Sequence, residues 1–316
     1  MKVFSAYNSD ASVRAMSSSG GVFSALAERV ISDGGVVYGA SFDDNWGVAH
    51  KRIADKGNLH LLRGSKYVYS AMGSSISDAL SDLKSNRFVL FSGTPCQAAA
   101  MRKAAGNDAN LLIVEVVCHG APEQKYWRQY LTELCATENK SISDIANINF
   151  RDKSNGWLNY NFKIAFKDGS VYEECHKENL FMKGFLSDLT LREACFKCQF
   201  KQPHDSKADM TIGDFWGIEE YIGKTDDAGI SLVILNTTNG ESFFEAYKDT
   251  LHTQSFDFDS VIRNNRAVIQ PPCVNVNAPL FKRSYNGTNL LATINRYTSG
   301  QLYYRLLNKI NRIICK

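Results

Sequence analysis

The residues with the clearest chemistry are cysteines. Cys195 and Cys198 form a Cys-x-x-Cys pair, which can bind a soft metal as a bidentate ligand. A closed tetrahedral metal site or an iron–sulfur cluster needs four protein ligands, so two more are required. Cys96 and Cys118 are the best candidates, because each directly follows a predicted buried strand. The four thiols are predicted to bind an iron–sulfur cluster or zinc, since thiolate sets do not identify their metal.

The strands before Cys96 and Cys118 would position these two thiols. They are continuous apolar runs at residues 88–91 and 111–117, and each leads into a helical pattern. Continuous apolar strands that alternate with helices indicate a parallel sheet, whose functional crevice lies outside the carboxyl ends of the strands. If the two strands are neighbours, both thiols lie at one edge of the sheet. We therefore predict an α/β fold with a mixed, mainly parallel sheet flanked by helices.

An antiparallel hairpin region is predicted after residue 148. Residues 160–166 and 170–175 have strand character and flank an Asp-Gly dipeptide typical of tight hairpin turns. The remaining cysteines, for which an inert thiol is the default expectation, are Cys135, Cys175, Cys273 and Cys315.

Two loops have residue types that suit a phosphate-containing ligand. The first comprises Ser18, Ser19, Gly20 and Gly21 and opens a predicted helix, whose free N–H groups and positive dipole end favour phosphate. An ordinary serine cap with turn glycines explains this loop equally well. The second loop, a weaker signal, comprises Gly64, Ser65 and Lys66.

Composition excludes several classes of function. The 316 residues carry a net charge of only +3, and no basic stripe with interleaved aromatic residues suggests binding to nucleic acid. No run of about 18 apolar residues predicts an integral membrane segment, and the N-terminus does not resemble a signal peptide. A cytoplasmic protein is expected, in which eight cysteines are more typical of ligands, catalysts or core residues than of disulfides.

The end of the chain has an amphipathic pattern. It has two sets of residues at helical spacing, the apolar Leu302, Leu306, Ile310 and Ile313 and the basic Arg305, Lys309 and Arg312. Such a helix could lie on a membrane or a partner. We predict the commoner arrangement, in which the apolar stripe packs on the body of the protein.

A hydrolase is an alternative interpretation of Cys96. The segment from Cys96 to Arg102 has the Cys-x5-Arg spacing of a cysteine phosphatase, and it follows a strand and opens a helix. The intervening residues contain no glycine that would let backbone amides surround a phosphate, which argues against this activity. A zinc-stabilised binding module without redox activity is the other alternative.

Seven motifs occur in an order that resembles one known family. They are Ser-Ser-Gly-Gly-Val-Phe-Ser (18–24), Gly-Ser-Lys-Tyr-Val (64–68), Phe-Ser-Gly-Thr-Pro-Cys-Gln (91–97), Cys-His-Gly (118–120), Phe-Arg-Asp-Lys (150–153), Cys-Phe-Lys-Cys (195–198) and Ile-Gly-Asp-Phe-Trp-Gly (212–217). Together they resemble the beta-subunit family of coenzyme F420 hydrogenases and dehydrogenases, including its bacterial members. The resemblance implies one domain over residues 1–265, followed by a C-terminal helical tail over residues 266–316.

The resemblance also implies cofactors and site residues. Family members are electron-transfer proteins with FAD and iron–sulfur clusters, so the four cysteines would bind one [4Fe-4S] cluster. FAD would contact the two loops described above and the region of Thr94. Asp214 could bond the flavin or orient a ligand loop, although a turn-forming aspartate is the simpler explanation. His119, beside a ligand cysteine, could supply a proton or serve only as a structural residue.

The resemblance further implies a flavin- and [4Fe-4S]-dependent oxidoreductase with redox partners. Many relatives begin with a cysteine-rich ferredoxin-like segment, whereas this chain has no cysteine before Cys96. An external ferredoxin or another redox subunit would then exchange electrons with it. The other reactant would be a small molecule, and nothing in the sequence indicates that it is coenzyme F420. Assembly into a homo-oligomer is compatible with the sequence.

Overall fold

The computed structural model describes residues 1–300 and 302–314 and has eleven strands in this part of the chain. The strands are β1 (Lys2–Asn8), β2 (Val36–Phe42), β3 (Val48–Ile53), β4 (Val89–Gly93), β5 (Leu111–Val116), β6 (Ile145–Asp152), β7 (Asn161–Phe166), β8 (Val171–Cys175), β9 (Met210–Asp214), β10 (Ser231–Leu235) and β11 (Leu251–Phe256). The helices are α1 (Ala11–Met16), α2 (Val22–Ser32), α3 (Ser75–Lys84), α4 (Pro95–Ala105), α5 (Gln124–Thr137), α6 (Leu180–Leu186), α7 (Glu219–Ile222), α8 (Thr238–Tyr247), α9 (Phe258–Ile262), α10 (Ala278–Ser284), α11 (Leu290–Asn295) and α12 (Leu302–Ile314).

Eight strands form a mixed sheet in the order β11-β1-β10-β9-β5-β4-β2-β3. The pairs β9–β5, β5–β4 and β4–β2 are parallel and form its centre, while the pairs on both flanks are antiparallel. A second sheet consists of β6, β7 and β8, all antiparallel. The predicted α/β fold, with its mixed sheet and a separate antiparallel hairpin region, is confirmed.

The central strands are buried on both faces. Leu90 and Leu112 belong to the core on the side of α2, whereas Phe91 and Ile113 belong to the core on the side of α3 and α4. This two-sided burial explains why β4 and β5 are continuous apolar runs in the sequence.

The small sheet has its own aromatic core. Trp127 of α5 is fully buried, and its ring lies 4.9 Å from those of both Phe150 and Phe181, centroid to centroid. Its indole N–H donates a 2.6 Å hydrogen bond to the carbonyl oxygen of Trp46 in the β2–β3 turn. Helix α5 thus connects the small sheet to the hairpin at the edge of the large sheet.

The C-terminal helix differs from the sequence prediction. Its apolar residues Leu302, Leu306, Ile310 and Ile313 are 50–70% exposed, so the stripe does not pack on the body as predicted. The aromatic ring of Tyr304 contacts that of Tyr297 at 4.6 Å, so the first turn is the part held against the rest of the chain. Within the described ranges, no helix is long and apolar enough to span a bilayer.

The expectations for the four other cysteines had mixed outcomes. Cys135 is buried inside α5, as predicted. Cys175 ends β8 but is only half-buried. Cys273 is disulfide-bonded, which corrects the expectation of an inert free thiol, and Cys315 lies outside the described residues.

The fold predicts a strict requirement for glycine at position 20. A Cβ atom at Gly20 would lie 2.3 Å from the backbone oxygen of Ala6 and 2.8 Å from the nitrogen of Ser231. We expect Gly20→Ala to lower the free energy of unfolding by about 1–3 kcal/mol, because backbone atoms must move. Gly39→Ala is the control, since its Cβ would meet Leu62 at an ordinary 3.4 Å. Urea denaturation of both variants tests this, and equal stabilities would contradict it.

Candidate cofactor site

Two of the four candidate thiols lie beyond the carboxyl ends of neighbouring strands. Strands β4 and β5 are parallel and adjacent, with Gly93 opposite Glu115. Cys96 lies in the first turn of α4, directly after β4, and its sulfur is 3.2 Å from the hydroxyl oxygen of Thr94. Cys118 lies two residues after the end of β5. Both thiols therefore lie at the same edge of the sheet, as the sequence indicated.

The other two thiols lie on a short 3-10 helix, Glu193–Lys197, in which Cys195 is the third residue and after which Cys198 follows. Two hydrogen bonds connect this segment to the loop after β5. The N–H of Ala121 donates to the sulfur of Cys195 at 3.4 Å, and the N–H of Arg192 donates to the carbonyl oxygen of Ala121 at 3.1 Å. The Cys-x-x-Cys pair is thereby held beside the loop that carries Cys118.

The four thiols interact electrostatically. Burial is the largest cause that raises the pKa of Cys118, Lys201 acts to lower it, and the charges of Cys195, Cys96 and Cys198 act to raise it, with a resulting pKa of about 12. A thiol in such surroundings loses its proton only when a cation stabilises the thiolate, as a metal does. Four gathered thiols fit the donor set of an iron–sulfur cluster.

Among the described residues, the candidate side chains do not surround a single metal position. Within residues 1–300 and 302–314, no group of three or more His, Cys, Asp or Glu side chains has the geometry of a metal site. The assignment of the four cysteines as ligands therefore stays a prediction.

His119 is held in place beside these thiols. Its Nε2 lies 2.6 Å from the Oδ1 atom of Asp188, and its ring meets that of Phe185 edge-on. The amine of Lys201 is buried and donates a 3.2 Å hydrogen bond to the carbonyl oxygen of His119. Sequence reasoning missed Asp188 and Lys201, which lie outside any recognisable motif. The predicted catalytic role of His119 is not tested by this geometry.

The Cys-x5-Arg spacing does not form a phosphate cradle. The guanidinium of Arg102 donates to the carboxylate of Asp209 at 2.9 Å and to the carbonyl oxygens of Lys207 and Gly106. Arg102 is thus engaged with the protein, which removes the support for a phosphatase-like pairing with Cys96.

The two loops predicted to bind a phosphate-containing ligand contact each other. The N–H of Ser65 donates to the hydroxyl oxygen of Ser18 at 2.6 Å. Ser19 and Gly20 are engaged with the strand region before and at the start of β10. Gly21 has a left-handed backbone with φ of 84°, and no side chain caps the start of α2 that follows it. The first N–H groups of α2 are therefore the part of this loop best suited to phosphate.

Lys66 directly follows Ser65 in the second loop. Its amine donates to the carbonyl oxygens of Arg63 at 3.0 Å and Gly64 at 3.2 Å. Desolvation lowers the pKa of Lys66 to about 7. An ammonium has three donors, so one remains for another acceptor. Lys66 is thus more constrained than the solvated lysine that its loop alone would suggest.

Asp214 forms a buried ion pair that the sequence did not predict. Its Oδ2 accepts from Arg151 at 2.9 Å, and its Oδ1 accepts from the indole N–H of Trp157 at 2.8 Å. Burial acts to lower the pKa of Arg151, but Asp214 and the hydroxyl groups of Tyr67 and Tyr160 outweigh burial and raise it. Arg151 is 3% exposed, and its guanidinium stays charged.

Aromatic rings surround this ion pair. The rings of Trp157 and Trp216 are stacked with 5.1 Å between centroids, and the guanidinium of Arg151 lies 4.1 Å from the ring centre of Tyr160. Arg151 also donates to the hydroxyl of Tyr67, the residue after Lys66 in sequence. Its buried Nε has no hydrogen-bond partner within the described ranges, which leaves one donor for a cofactor or water. In the sequence, Arg151 belongs to the Phe-Arg-Asp-Lys motif (150–153). Nothing in the sequence indicated that it contacts Asp214.

The sequence of the chain matches two models of one family. Residues 3–77 match the family model "Coenzyme F420 hydrogenase/dehydrogenase, beta subunit N-term", and residues 86–258 match the companion model for the C terminus of the same beta subunit. The chain belongs to the coenzyme F420 hydrogenase/dehydrogenase beta subunit family. This confirms the resemblance and places the chain among the subunits of redox enzymes.

A solved structure shares the fold of this beta-subunit family member. It is a chain of the F420-reducing [NiFe] hydrogenase complex from Methanosarcina barkeri, determined with xenon derivatization. The TM-score is 0.55 with 17% sequence identity, and the similarity covers 96% of this chain and 94% of that chain. None of the curated proteins matches the chain.

The ion pair between Arg151 and Asp214 should be important for the stability of this beta-subunit family member. Asp214→Asn leaves a buried guanidinium without its counter-charge, so we expect the free energy of unfolding to fall by about 3–5 kcal/mol. Glu245→Gln breaks an exposed pair with Lys248 and should cost less than about 1 kcal/mol. Urea titrations followed by tryptophan fluorescence provide the measurement. Equal effects of the two substitutions would show that the buried pair contributes little.

Proposed function

We propose that this protein is a flavin- and iron–sulfur-dependent oxidoreductase subunit. It would pass electrons between a ferredoxin, or another redox subunit, and a small-molecule substrate that reacts by two electrons. The observation that carries the proposal is that Cys96 and Cys118 lie beyond the carboxyl ends of β4 and β5, with the segment of Cys195 and Cys198 hydrogen-bonded to the loop after β5, in a chain of this family. When bound, a cluster supplies single electrons and a flavin combines them into a hydride equivalent.

The residues proposed to hold the [4Fe-4S] cluster are Cys96, Cys118, Cys195 and Cys198. Their support is the shared edge of the sheet and the hydrogen bonds between the Cys195 segment and the loop after β5. The residues proposed to contact FAD are Ser18, Ser19, Gly20, Gly21, Gly64, Ser65, Lys66, Thr94 and Asp214. Their support is the contact between Ser18 and Ser65 and the uncapped start of α2.

The remaining groups of the site would position the reactants. Asp188 fixes the ring of His119 through a 2.6 Å contact, so a proton on this imidazole would be presented in one direction. The ion pair of Arg151 and Asp214 ties the turn after β9 to the small sheet. His119 is the residue that we propose as the proton donor or acceptor during turnover.

The ligand assignment predicts which cysteines are needed for iron. We expect Cys195→Ser and Cys198→Ser to lose most of the bound iron after anaerobic purification, because each removes one thiolate. Cys135→Ser is the matched control, since Cys135 is a buried residue of α5 and is not one of the four candidate ligands. The measurement is iron and zinc per chain, with absorption near ~400 nm as a second readout. Equal iron in all variants contradicts the assignment, and one zinc without iron supports a structural metal instead.

The flavin assignment predicts a role for Lys66. Lys66→Ala should weaken FAD binding by about tenfold, the effect of losing one hydrogen bond to a charged group. Lys103→Ala, which changes an exposed lysine of α4, is the control. Titration of the flavin-free proteins with FAD, followed by flavin fluorescence, gives both dissociation constants. The same affinity in both variants would show that Lys66 does not contact the cofactor.

A further inference from the structure

The C-terminal helix α12 exposes a continuous apolar face. Five large apolar side chains on this helix are 50–70% exposed: Leu302, Tyr303, Leu306, Ile310 and Ile313. Positions 302, 306, 310 and 313 lie on one side of a helix that turns 100° per residue. The described ring contact that holds α12 to the body lies at its first turn, between Tyr304 and Tyr297. This face is therefore open to a partner.

The charges of α12 indicate what kind of partner fits. Its sequence has no acidic residue, and it has basic residues at positions 305, 309 and 312. These positions also repeat at helical spacing, so along the helix backbone they form a row next to positions 302, 306, 310 and 313, and Lys309 in this row is exposed. An apolar face bordered by basic residues is typical of helices that lie in the plane of a membrane surface and attract anionic lipids.

The length and anchoring of α12 suit a surface position. Thirteen residues make a helix about 20 Å long, which is shorter than the roughly 30 Å hydrocarbon core of a bilayer. The backbone oxygen of Tyr304 accepts a hydrogen bond from the side chain of Asn277 at 3.5 Å, which fixes the first turn to the body. The exposed ring of Tyr303 is of the type that favours the membrane–water interface.

We propose that α12 docks this protein reversibly on the anionic lipid surface of a membrane. The apolar row would enter the headgroup region, and the exposed Lys309 of the basic row would contact the anionic headgroups. This inference is independent of the cofactors, because it concerns a helix that carries none of the proposed cofactor contacts.

Vesicle co-sedimentation tests the proposal with the full chain. The wild-type protein should bind vesicles of phosphatidylcholine and phosphatidylglycerol more strongly than vesicles of phosphatidylcholine alone, and high salt should weaken this binding. Ile310→Glu should reduce the partition coefficient about tenfold or more, because it places a carboxylate in the apolar row. Val171→Glu is the matched control, since Val171 and Ile310 are both 50% exposed.

A charge variant separates the contribution of the basic row. Lys309→Glu should reduce binding to the anionic vesicles and leave the weak binding to neutral vesicles unchanged. Circular dichroism and the melting temperature of each variant should match those of the wild type. Absence of vesicle binding, or equal binding by Ile310→Glu and Val171→Glu, overturns the proposal. A dimer that Ile310→Glu dissociates, without vesicle binding by the wild type, would instead assign this face to a second copy of the chain.

Discussion

The parallel register of β4, β5 and β9 is the constraint on which the candidate site depends. Gly93 lies opposite Glu115, and Val116 lies opposite Ile212, so the three strands end at one edge of the sheet. Both faces of these strands are buried, and a shift of one residue would move every core side chain to the wrong face. The packing of the core therefore fixes the loops that carry the candidate ligands. A cofactor bound at this edge would rest on loops whose positions are set by strands buried on both faces.

The second constraint is the ion pair that joins the two sheets. Arg151 lies near the end of β6 in the small sheet, and Asp214 ends β9 of the large sheet. Burying two charges is costly unless hydrogen bonds satisfy both partners. Here the indole of Trp157 and the hydroxyl of Tyr67 supply such bonds. The same contacts link the loop of Lys66 and Tyr67 to the end of β9, so two of the proposed flavin residues, Lys66 and Asp214, belong to connected parts of the structure.

The sequence predicted the centre of the fold better than its flanks. Strands β4 and β5 were predicted because their apolar runs are local signals, and α4 because Pro95 suits the first turn of a helix. Strand β1 was missed, since its mixed polar and apolar residues become a strand only through pairing with β10 and β11. Strand β11 was missed as well because, as an edge strand with four exposed residues, it lacks an apolar run. Arg151 and Asp214 are brought into contact only by the tertiary structure, so their spacing in the sequence could not predict the ion pair.

Some of the proposed cofactor residues already have structural roles in the protein, whereas others retain hydrogen-bond donors that a ligand could use. Gly20 is required by the close approach of β1, and Thr94 opens α4 with its N–H bonded to the side chain of Gln97. Both carboxylate oxygens of Asp214 accept hydrogen bonds from the protein itself. These residue types would be favoured at their positions even without a ligand. The start of α2 and the amine of Lys66 are different, because each retains donors that the described residues do not fully use. The loops that carry these donors are joined by the hydrogen bond between Ser65 and Ser18, so these two elements are the parts of the loops best suited to an anionic ligand.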